Sequence, residues 1–233
     1  MPTETANERT VVIVCAHDEQ ERLPATLAAL ADAFPSNTRI VLADDASTDE
    51  TAAIARSAGV QVVSAPRNIG KGGAATLAAR AVLGEADAPE PPVFVLCDAD
   101  LADTARHLPA LVQVVRSGQA GLVVGVFARR VGGGFGVALR FAGWAIERRS
   151  GLKLRAPISG QRALSAPAFK AAIPFAARFG MEIGMTVDVA RAGFPVVEVD
   201  LPLAHRATGR TFGGFVHRGR QLVDFLVVYL SRR

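Results

Sequence analysis

The chain has 233 residues, half of them apolar, and a formal net charge of +4. This length and composition favour one folded α/β domain with a sizeable core and argue against a disordered chain. The small positive excess suits an anionic ligand or a membrane surface, and without interleaved aromatic and basic residues it does not indicate nucleic-acid binding. No apolar run reaches the roughly 18 residues that a membrane-spanning helix needs.

The first residues and the two cysteines indicate where the protein works. Residues 1–9 are polar and carry no apolar signal core, so we expect a flexible N-terminus and no export. Cys15 and Cys97 lie inside apolar runs and are interpreted as reduced core residues, which fits the cytoplasm.

The first half alternates short apolar runs with helical patterns. Strands are predicted at 11–16, 39–43, 60–64 and 93–97. Helices are predicted between them at 19–34, 49–59 and 70–84. This alternation predicts a mostly parallel central sheet with helices on its faces. Residues 10–103 are thus predicted to form a nucleotide-binding half.

The second half is less regular, and residues 104–215 are interpreted as the acceptor half of the same domain. Predicted strands lie at 121–126, 161–165 and 196–201. Helices are predicted at 104–117, 137–149 and 183–192, with a loop at 131–136.

Two carboxylates one residue apart, Asp98 and Asp100, directly follow the predicted strand 93–97. Ligands of open α/β sheets bind beyond the carboxyl ends of the strands, where this turn falls. Such a pair can share a hard divalent cation with diphosphate oxygens. The alternative is a solvated acidic turn in which one aspartate caps the next helix.

A second acidic cluster, Asp44 and Asp45, ends the second predicted strand. Carboxylates there can accept hydrogen bonds from a nucleoside base or ribose. Helix capping is predicted for Ser47 or Asp49, which leaves the first two aspartates for another role.

The segment 67–73 (RNIGKGG) precedes a predicted helix. Glycines let backbone amides approach a phosphate, the helix N-terminus favours negative charge, and Lys71 adds a cation. The segment lacks the Walker A pattern, and no G-x-G-x-x-G fingerprint follows the first strand. A plain loop is the alternative interpretation.

Taken in this order, the clusters resemble the family 2 glycosyltransferases of the GT-A fold. The segment 44–47 (DDAS) resembles their D-D-G/A-S motif, 68–72 (NIGKG) their N-x-G-K-G, and 98–100 (DAD) their D-x-D. The opening 11–19 is similar to their P-x-x-N-E turn, although Ala16 replaces the proline and Asp18 the asparagine.

Within that family the chain resembles polyprenyl-phosphate glycosyltransferases and, in a neighbouring family, glucosyl-3-phosphoglycerate synthases. The segment 159–163 (SGQRA) is similar to an acceptor-side S/C-G-F-R-A segment, with Gln161 in place of the aromatic residue. Glu182 lies in a segment resembling G-Y-G-x-E-I, and His205 in an H-R pair whose histidine completes a metal shell.

The resemblance implies transfer of a hexose, with UDP-glucose favoured over a GDP-sugar, to a phosphorylated or lipid-phosphate acceptor. It implies Mg²⁺ or Mn²⁺ held by Asp98, Asp100 and His205, with Asp100 and Glu182 as catalytic residues. The donor would contact a set of residues from the first half: Ala16, Asp18, Glu19, Asp44, Asp45, Lys71 and Asp98. Three arginines are predicted to bind the acceptor phosphate: Arg162, Arg206 and Arg210. A lone histidine is more often structural than a ligand, which is the alternative for His205, and a solvated surface position is the alternative for the three arginines.

The C-terminal residues 216–233 are predicted to form an amphipathic helix with basic residues on both sides of its apolar stretch. It either lies on the inner face of the cytoplasmic membrane or packs on the core or on a second subunit of a homodimer.

Two other functions fit parts of the pattern. A sugar-phosphate nucleotidyltransferase uses a related sheet, but the first strand is followed by 16–20 (AHDEQ), which has no glycine. A non-catalytic nucleotide-sugar-binding or membrane-assembly subunit is the alternative from another class.

Overall fold

The computed structural model describes residues 9–84, 93–127, 136–203 and 224–232. Its strands are β1 (Thr10–Ala16), β2 (Arg39–Asp44), β3 (Gln61–Ser64), β4 (Val93–Asp98), β5 (Leu122–Phe127), β6 (Arg162–Ser165) and β7 (Val196–Leu201). Its α-helices are α1 (Leu23–Ala33), α2 (Thr51–Ser57), α3 (Lys71–Leu83), α4 (Pro109–Arg116), α5 (Val137–Ser150), α6 (Ala166–Ala171), α7 (Met181–Arg191) and α8 (residues 224–231). Short 3₁₀ helices span Ala102–His107 and Arg178–Gly180.

Within the described ranges, seven strands form one sheet in the order β3-β2-β1-β4-β6-β5-β7. The strands pair in parallel except β6, which runs antiparallel to both β4 and β5. The predicted α/β domain with a mostly parallel sheet is confirmed. The chain order reverses between β1 and β4, so the crevice expected at such a switch point lies beyond their carboxyl ends.

Alternate residues of the buried strands face the two layers of helices. Val12 and Val14 of β1 pack with α1 and α4, whereas Val11 and Ile13 pack with α3, α6 and α7. Both faces are apolar because both are covered, which explains the continuous apolar run of β1.

Three helical predictions differ from the structure. α1 begins at Leu23 rather than near residue 19, because residues 19–22 form a turn in which the N–H groups of Arg22 and Leu23 both bond the Glu19 carbonyl. The predicted helix 104–117 is divided: a 3₁₀ helix ends at His107, and α4 begins at Pro109, which has no N–H to continue the preceding turn. α6 was not predicted, because six residues are too few to show a helical period.

A third apolar cluster joins α5, α7 and α8. Phe225 and Val228 of α8 are buried against Ile183 and Val187 of α7 and Ile146 of α5. The other face of α8 exposes Leu226, Val227 and Leu230, with Trp144 of α5 beside them. One face of residues 224–231 thus packs on the core, whereas 216–223 and 233 lie outside the described residues.

No helix in the part of the chain that the structure describes is long and apolar enough to cross a membrane.

Candidate active site

The carboxyl ends of β2, β1 and β4 lie side by side. Asp44 is in register with Ala16 on one side of β1, and Asp98 is in register with Cys15 on the other. Adjacent strands are about 4.8 Å apart, so the backbones of the two aspartates are separated by about 10 Å. The two acidic clusters therefore border one crevice, at a spacing that a nucleotide diphosphate can bridge.

The turn after β1 is bonded to the loop after β2. Asp18, at φ +54°, donates its N–H to the Ser47 hydroxyl at 3.0 Å, and its carboxylate accepts the Thr48 N–H at 2.7 Å. Glu19 donates its N–H to the Thr51 hydroxyl at 2.8 Å. The predicted donor contacts Ala16, Asp18 and Glu19 thus belong to a wall that is fixed by hydrogen bonds.

Capping of α2 is predicted for Ser47 or Asp49, and the Asp49 carboxylate bonds the start of α2 whereas the Ser47 hydroxyl does not. The Ser47 hydroxyl accepts the Asp18 N–H instead, and the residue before α2, Glu50, makes no capping bond with its own side chain. The Asp49 carboxylate accepts the Thr51 N–H at 2.9 Å and the Gln20 N–H at 3.1 Å. Asp49 therefore serves both the start of α2 and the neighbouring turn.

Asp44 and Asp45 are both buried, and each carboxylate organises backbone. Asp44 accepts the Ser47 N–H at 3.0 Å. Asp45, 5% exposed, accepts the N–H groups of Ile69 at 2.7 Å and Gly70 at 2.8 Å, one on each oxygen. Asp45 therefore fixes the start of α3, a contact that local sequence patterns do not indicate.

Lys71, the first residue of α3, carries the charge of this segment into the site. Its Nζ lies 2.5 Å from Asp98 Oδ1 and 2.8 Å from Glu182 Oε1. The preceding Gly70, at φ +83°, allows the turn, and a Cβ there would overlap Arg178. Burial alone lowers the pKa of Lys71, but Asp98 and Glu182 outweigh it and hold that pKa well above its ordinary value. Lys71 is therefore an ammonium at any physiological pH.

Glu182 lies in the first turn of α7 and is 7% exposed. The approach of α7 to α3 is close: a Cβ on Gly72 would overlap the Ala176 carbonyl and lie 3.3 Å from Met181 Cβ. Three segments far apart in the chain, at 71, 98 and 182, thus meet through one ammonium. The sequence predicted each residue but not their contact.

Asp98 is also hydrogen-bonded to Gln161, the residue that replaces the aromatic of the S/C-G-F-R-A segment. Because β6 runs antiparallel to β4, the segment before β6 reaches the carboxyl end of β4. Gln161 donates from Nε2 to Asp98 Oδ2 at 2.7 Å and accepts the Asp98 N–H on Oε1 at 3.1 Å. A polar residue in a position where an aromatic is expected was the only sequence signal for this contact.

Arg162 is inside the protein, 1% exposed. Its guanidinium donates to the carbonyls of Ser159 at 2.8 Å and Pro157 at 3.1 Å, and to the Thr186 hydroxyl at 2.8 Å. Burial lowers its pKa to about 10, which leaves it charged at pH 7. These contacts favour an internal brace of the 157–161 segment over the predicted contact with an acceptor phosphate.

Two aspartates supply hard oxygen donors for the predicted cation. Asp98 and Asp100 are half-buried at the end of β4, and carboxylates with diphosphate oxygens suit Mg²⁺ or Mn²⁺. Among the described residues, no three His, Cys, Asp or Glu side chains form a metal-binding group. The third predicted ligand, His205, and the predicted phosphate ligands Arg206 and Arg210 lie outside the described residues. The donor set present thus fits a cation shared with a ligand.

The chain resembles known glycosyltransferases over most of its length. The model of Glycosyl transferase family 2 matches residues 11–165. An undecaprenyl-phosphate mannosyltransferase of Micrococcus luteus is 31% identical over 231 residues, covering 89% of this chain and 89% of that one. An uncharacterised glycosyltransferase of Mycobacterium tuberculosis is 32% identical over 208 residues, covering 87% and 88% of the two chains.

Solved structures share the fold. Glucosyl-3-phosphoglycerate synthase from Mycobacterium tuberculosis, in complex with Mn²⁺, UDP-glucose and phosphoglyceric acid, superposes with a TM-score of 0.76 at 24% identity, covering 97% of this chain and 80% of that one. Its complex with UDP superposes with a TM-score of 0.75 at the same identity and coverage. On the family match and these relatives, the chain belongs to glycosyltransferase family 2 and is a glycosyltransferase with the GT-A fold.

Proposed function

We propose that this glycosyltransferase moves a hexose from a nucleotide diphosphate donor, with UDP-glucose as the first candidate, to a lipid phosphate at the inner face of the cytoplasmic membrane. One observation carries the donor half of the proposal. Asp45 bonds Gly70, and the next residue, Lys71, bonds Asp98. This chain of contacts joins the predicted nucleoside, diphosphate and metal positions along one crevice.

The donor lies along that crevice in the proposal. The nucleoside occupies the end formed by Ala16, Asp18, Glu19 and the Asp44–Asp45 turn. The diphosphate lies at Lys71 and the start of α3, where backbone amides and an ammonium meet. UDP is favoured because the synthase that shares this fold was solved with UDP and UDP-glucose.

Asp98 and Asp100, with His205, hold Mg²⁺ or Mn²⁺ in the proposal. The cation neutralises negative charge that develops on the leaving nucleoside diphosphate. In the structure, the Lys71 ammonium supplies positive charge to Asp98. Lys71 is thus placed to turn from the carboxylates to the diphosphate when donor and cation bind.

Glu182 is the proposed acceptor-orienting group. Its carboxylate is bonded to Lys71 at 2.8 Å, so movement of Lys71 toward the diphosphate would release it for the acceptor. A hydroxyl acceptor would need Glu182 as general base. A phosphate acceptor is already an anion, and for it Glu182 needs only to position the nucleophile.

An exposed apolar surface favours a lipid acceptor over a small soluble one. Trp144, Leu226, Val227 and Leu230 are 48%, 47%, 59% and 44% exposed. Leu226, Val227 and Leu230 lie on the exposed face of α8, and the Trp144 ring lies 4.9 Å from that of Tyr229 on the same helix, so we treat the four as one patch. Arg140 and Arg148, exposed one helical turn to either side of Trp144, suit anionic headgroups.

The helix that carries the patch packs next to the proposed acceptor end of the site through its other face. α8 crosses the start of α7, where a Cβ on Gly180 would overlap Val228, only two residues from Glu182. A relative named undecaprenyl-phosphate mannosyltransferase adds support for a polyprenyl phosphate. Arg206 and Arg210 are proposed to bind the phosphate. A second copy of the chain is the competing occupant of the patch.

Transfer assays test the donor and the acceptor together. Labelled UDP-glucose, GDP-glucose, UDP-mannose and GDP-mannose are each incubated with Mn²⁺ and either undecaprenyl phosphate in vesicles or 3-phosphoglycerate in solution. We expect label in the lipid fraction with a UDP-sugar. Exclusive labelling of 3-phosphoglycerate would overturn the lipid assignment, and pyrophosphate release from UTP with glucose 1-phosphate would revive the nucleotidyltransferase alternative.

Intrinsic fluorescence tests the surface. Trp144 is the sole tryptophan of the sequence, so its emission reports on this patch alone. We expect a blue shift with vesicles containing phosphatidylglycerol and a much smaller one with phosphatidylcholine alone. A shift that instead follows protein concentration without vesicles would assign the patch to a homodimer.

A further inference from the structure

Gln161 is buried, 1% exposed, and both ends of its side-chain amide form hydrogen bonds with Asp98. Nε2 donates to Asp98 Oδ2 at 2.7 Å, while Oε1 accepts the Asp98 N–H at 3.1 Å. A backbone N–H can only donate, so it fixes which end of the amide is the oxygen. The two bonds together close a ring that restrains the side-chain torsion of Asp98.

We propose that Gln161 is a positioning residue that turns the Oδ1 edge of Asp98 toward the cation and donor, an inference that rests on the proposed function. With Oδ2 bonded to the amide, Lys71 sits on Oδ1 at 2.5 Å. Donor and cation would therefore approach Asp98 from the edge that Lys71 contacts, in place of that lysine.

The surroundings of Gln161 are shaped to keep it in place. Its carbonyl accepts the Gly125 N–H at 2.7 Å, which ties it to β5. A Cβ on Gly125 would come within 3.2 Å of Gln161 Cβ, so a side chain there would press on it. On the other side, a Cβ on Gly160 would overlap Lys71 Nζ and the Asp98 carboxylate. Two glycines thus leave room for this contact.

Loss of the amide changes the competition at Asp98. A carboxylate released from Gln161 can rotate and offer both oxygens to Lys71, and a charge-assisted contact of that kind is a stronger competitor. Cation and donor would then bind more weakly. The chemical step, once both are bound, would change less.

Gln161→Met tests this because methionine keeps the length of the side chain and removes both hydrogen bonds. Thermal unfolding is followed during Mn²⁺ titrations with UDP and, separately, with GDP, since a ligand that binds the folded state raises the melting temperature. We expect the Mn²⁺ concentration for half-maximal nucleotide-dependent stabilisation to rise about tenfold, the loss of a charged hydrogen bond. KM for the donor should rise more than kcat falls.

Thr10→Val is the matched control. Thr10 is also buried and bonded through its side chain, to Arg116 at 3.1 Å, but at the opposite end of β1. We expect it to lower the melting temperature without moving the Mn²⁺ midpoint. Gln161→Asn, which is too short to make both bonds, carries the same expectation if the methionine variant does not fold.

The outcomes separate the two proposals. A wild-type protein stabilised by Mn²⁺ and nucleotide, with an unchanged midpoint in the Gln161 variants, would overturn the positioning role alone. A wild-type protein that neither nucleotide stabilises would overturn the proposed donor site, and the positioning role with it.

Discussion

The proposed donor side and the helices α5, α7 and α8 of the proposed acceptor side are held together by different forces. On the donor side, carboxylates bond backbone N–H groups of neighbouring loops, as Asp45 does with Ile69 and Gly70. Such bonds have short, directional geometry, so they fix loop positions closely. The diphosphate of the donor is the same in every reaction, so loops in fixed positions suit its binding.

The helices α5, α7 and α8 of the proposed acceptor side pack together through apolar side chains. One charged contact joins the last two helices: Arg232 bonds both oxygens of Asp188 at 2.8 to 2.9 Å. Packing without directional bonds tolerates changes of side chain of similar volume. The difference suggests that the donor side sets the chemistry and the acceptor side sets where it takes place.

The largest expected effect is loss of transfer in Asp100→Ala. Removing this carboxylate weakens binding of the cation that would neutralise charge on the leaving diphosphate. Because that neutralisation contributes several kcal/mol to the stability of the transition state, kcat/KM should fall by about a thousandfold. Asp103→Ala, in the 3₁₀ helix that follows and with its side chain 81% exposed, is the control and should keep its activity. Full activity in Asp100→Ala would refute the metal assignment.

Sequence patterns predict that the residues of the proposed donor side lie together because each is local to a strand end or a helix start. Asp45, Lys71 and Asp98 each follow a predicted strand or begin a predicted helix, so parallel strands were enough to bring them together. The residues that they contact in the structure could not be predicted from local patterns. The contact of Lys71 with Glu182 spans 111 residues, and no local period encodes it.

The acceptor side was less predictable for the same physical reason. Sequence patterns predict that Arg162 binds the acceptor phosphate, with a surface cation as the alternative. The antiparallel β6 instead carries it inward, where two carbonyls and a hydroxyl accept its hydrogen bonds. Gln161 acquires its role from that same strand direction. Neither strand order nor direction can be read from composition, so the partners of buried polar residues emerge only in the folded chain.

Lys71→Met should produce the second largest effect. It removes the ammonium between Asp98 and Glu182 and leaves two carboxylates facing each other. We expect donor turnover to fall about a hundredfold and the free energy of unfolding to fall by about 1–3 kcal/mol, a discounted value because Asp98 is partly exposed. Transfer kinetics and urea denaturation measure the two effects.

The control for that variant is Lys153→Met. Lys153 also pairs with a glutamate, Glu147 at 3.2 Å, but it is 80% exposed. An exposed pair contributes little, so stability should change by less than about 1 kcal/mol. Equal losses of stability in the two variants would show that the contacts of Lys71 with Asp98 and Glu182 stabilise the fold no more than an exposed ion pair does.

Asp45→Asn tests the loop contacts of the donor side. Asparagine keeps one acceptor and turns the other into a donor that faces a backbone N–H. We expect about tenfold weaker nucleotide binding and a stability loss of about 1–2 kcal/mol. Calorimetry measures the affinity, and faster amide exchange at Ile69 and Gly70 should accompany it.

Glu198→Gln provides a closely matched control. Glu198 likewise accepts two consecutive N–H groups, those of Arg155 at 2.9 Å and Ala156 at 2.7 Å, but on β7. A similar stability loss with unchanged nucleotide affinity is expected. If both variants lost affinity equally, Asp45 would have no specific part in the donor site.

The two faces of α8 should respond differently to substitution. Val228→Ala removes buried side chain from the third cluster and should cost about 1 kcal/mol of stability. Leu226→Ser changes an exposed position and should cost less than about 0.5 kcal/mol in water. Only Leu226→Ser should weaken binding to phosphatidylglycerol vesicles in co-sedimentation, and the reverse ranking would contradict a lipid-facing surface.

The smallest expected effect concerns Cys15, which borders the donor side in register with Asp98. Burial raises the pKa of its thiol from 9.0 to about 12, so the unfolded thiol ionises first as pH rises. The contribution of the buried, un-ionised thiol to the free energy of unfolding is therefore intact below pH 9 and is lost between pH 9 and 12. The loss amounts to about 1 kcal/mol at pH 10. Cys15→Ala should lose stability less steeply over this range in urea denaturation, while donor turnover at pH 7.5 stays within about twofold. Rapid alkylation of the folded protein at pH 7.5 with loss of transfer would instead mean that this end of β1 opens to solvent, and the view of the donor side as a fixed wall would fail.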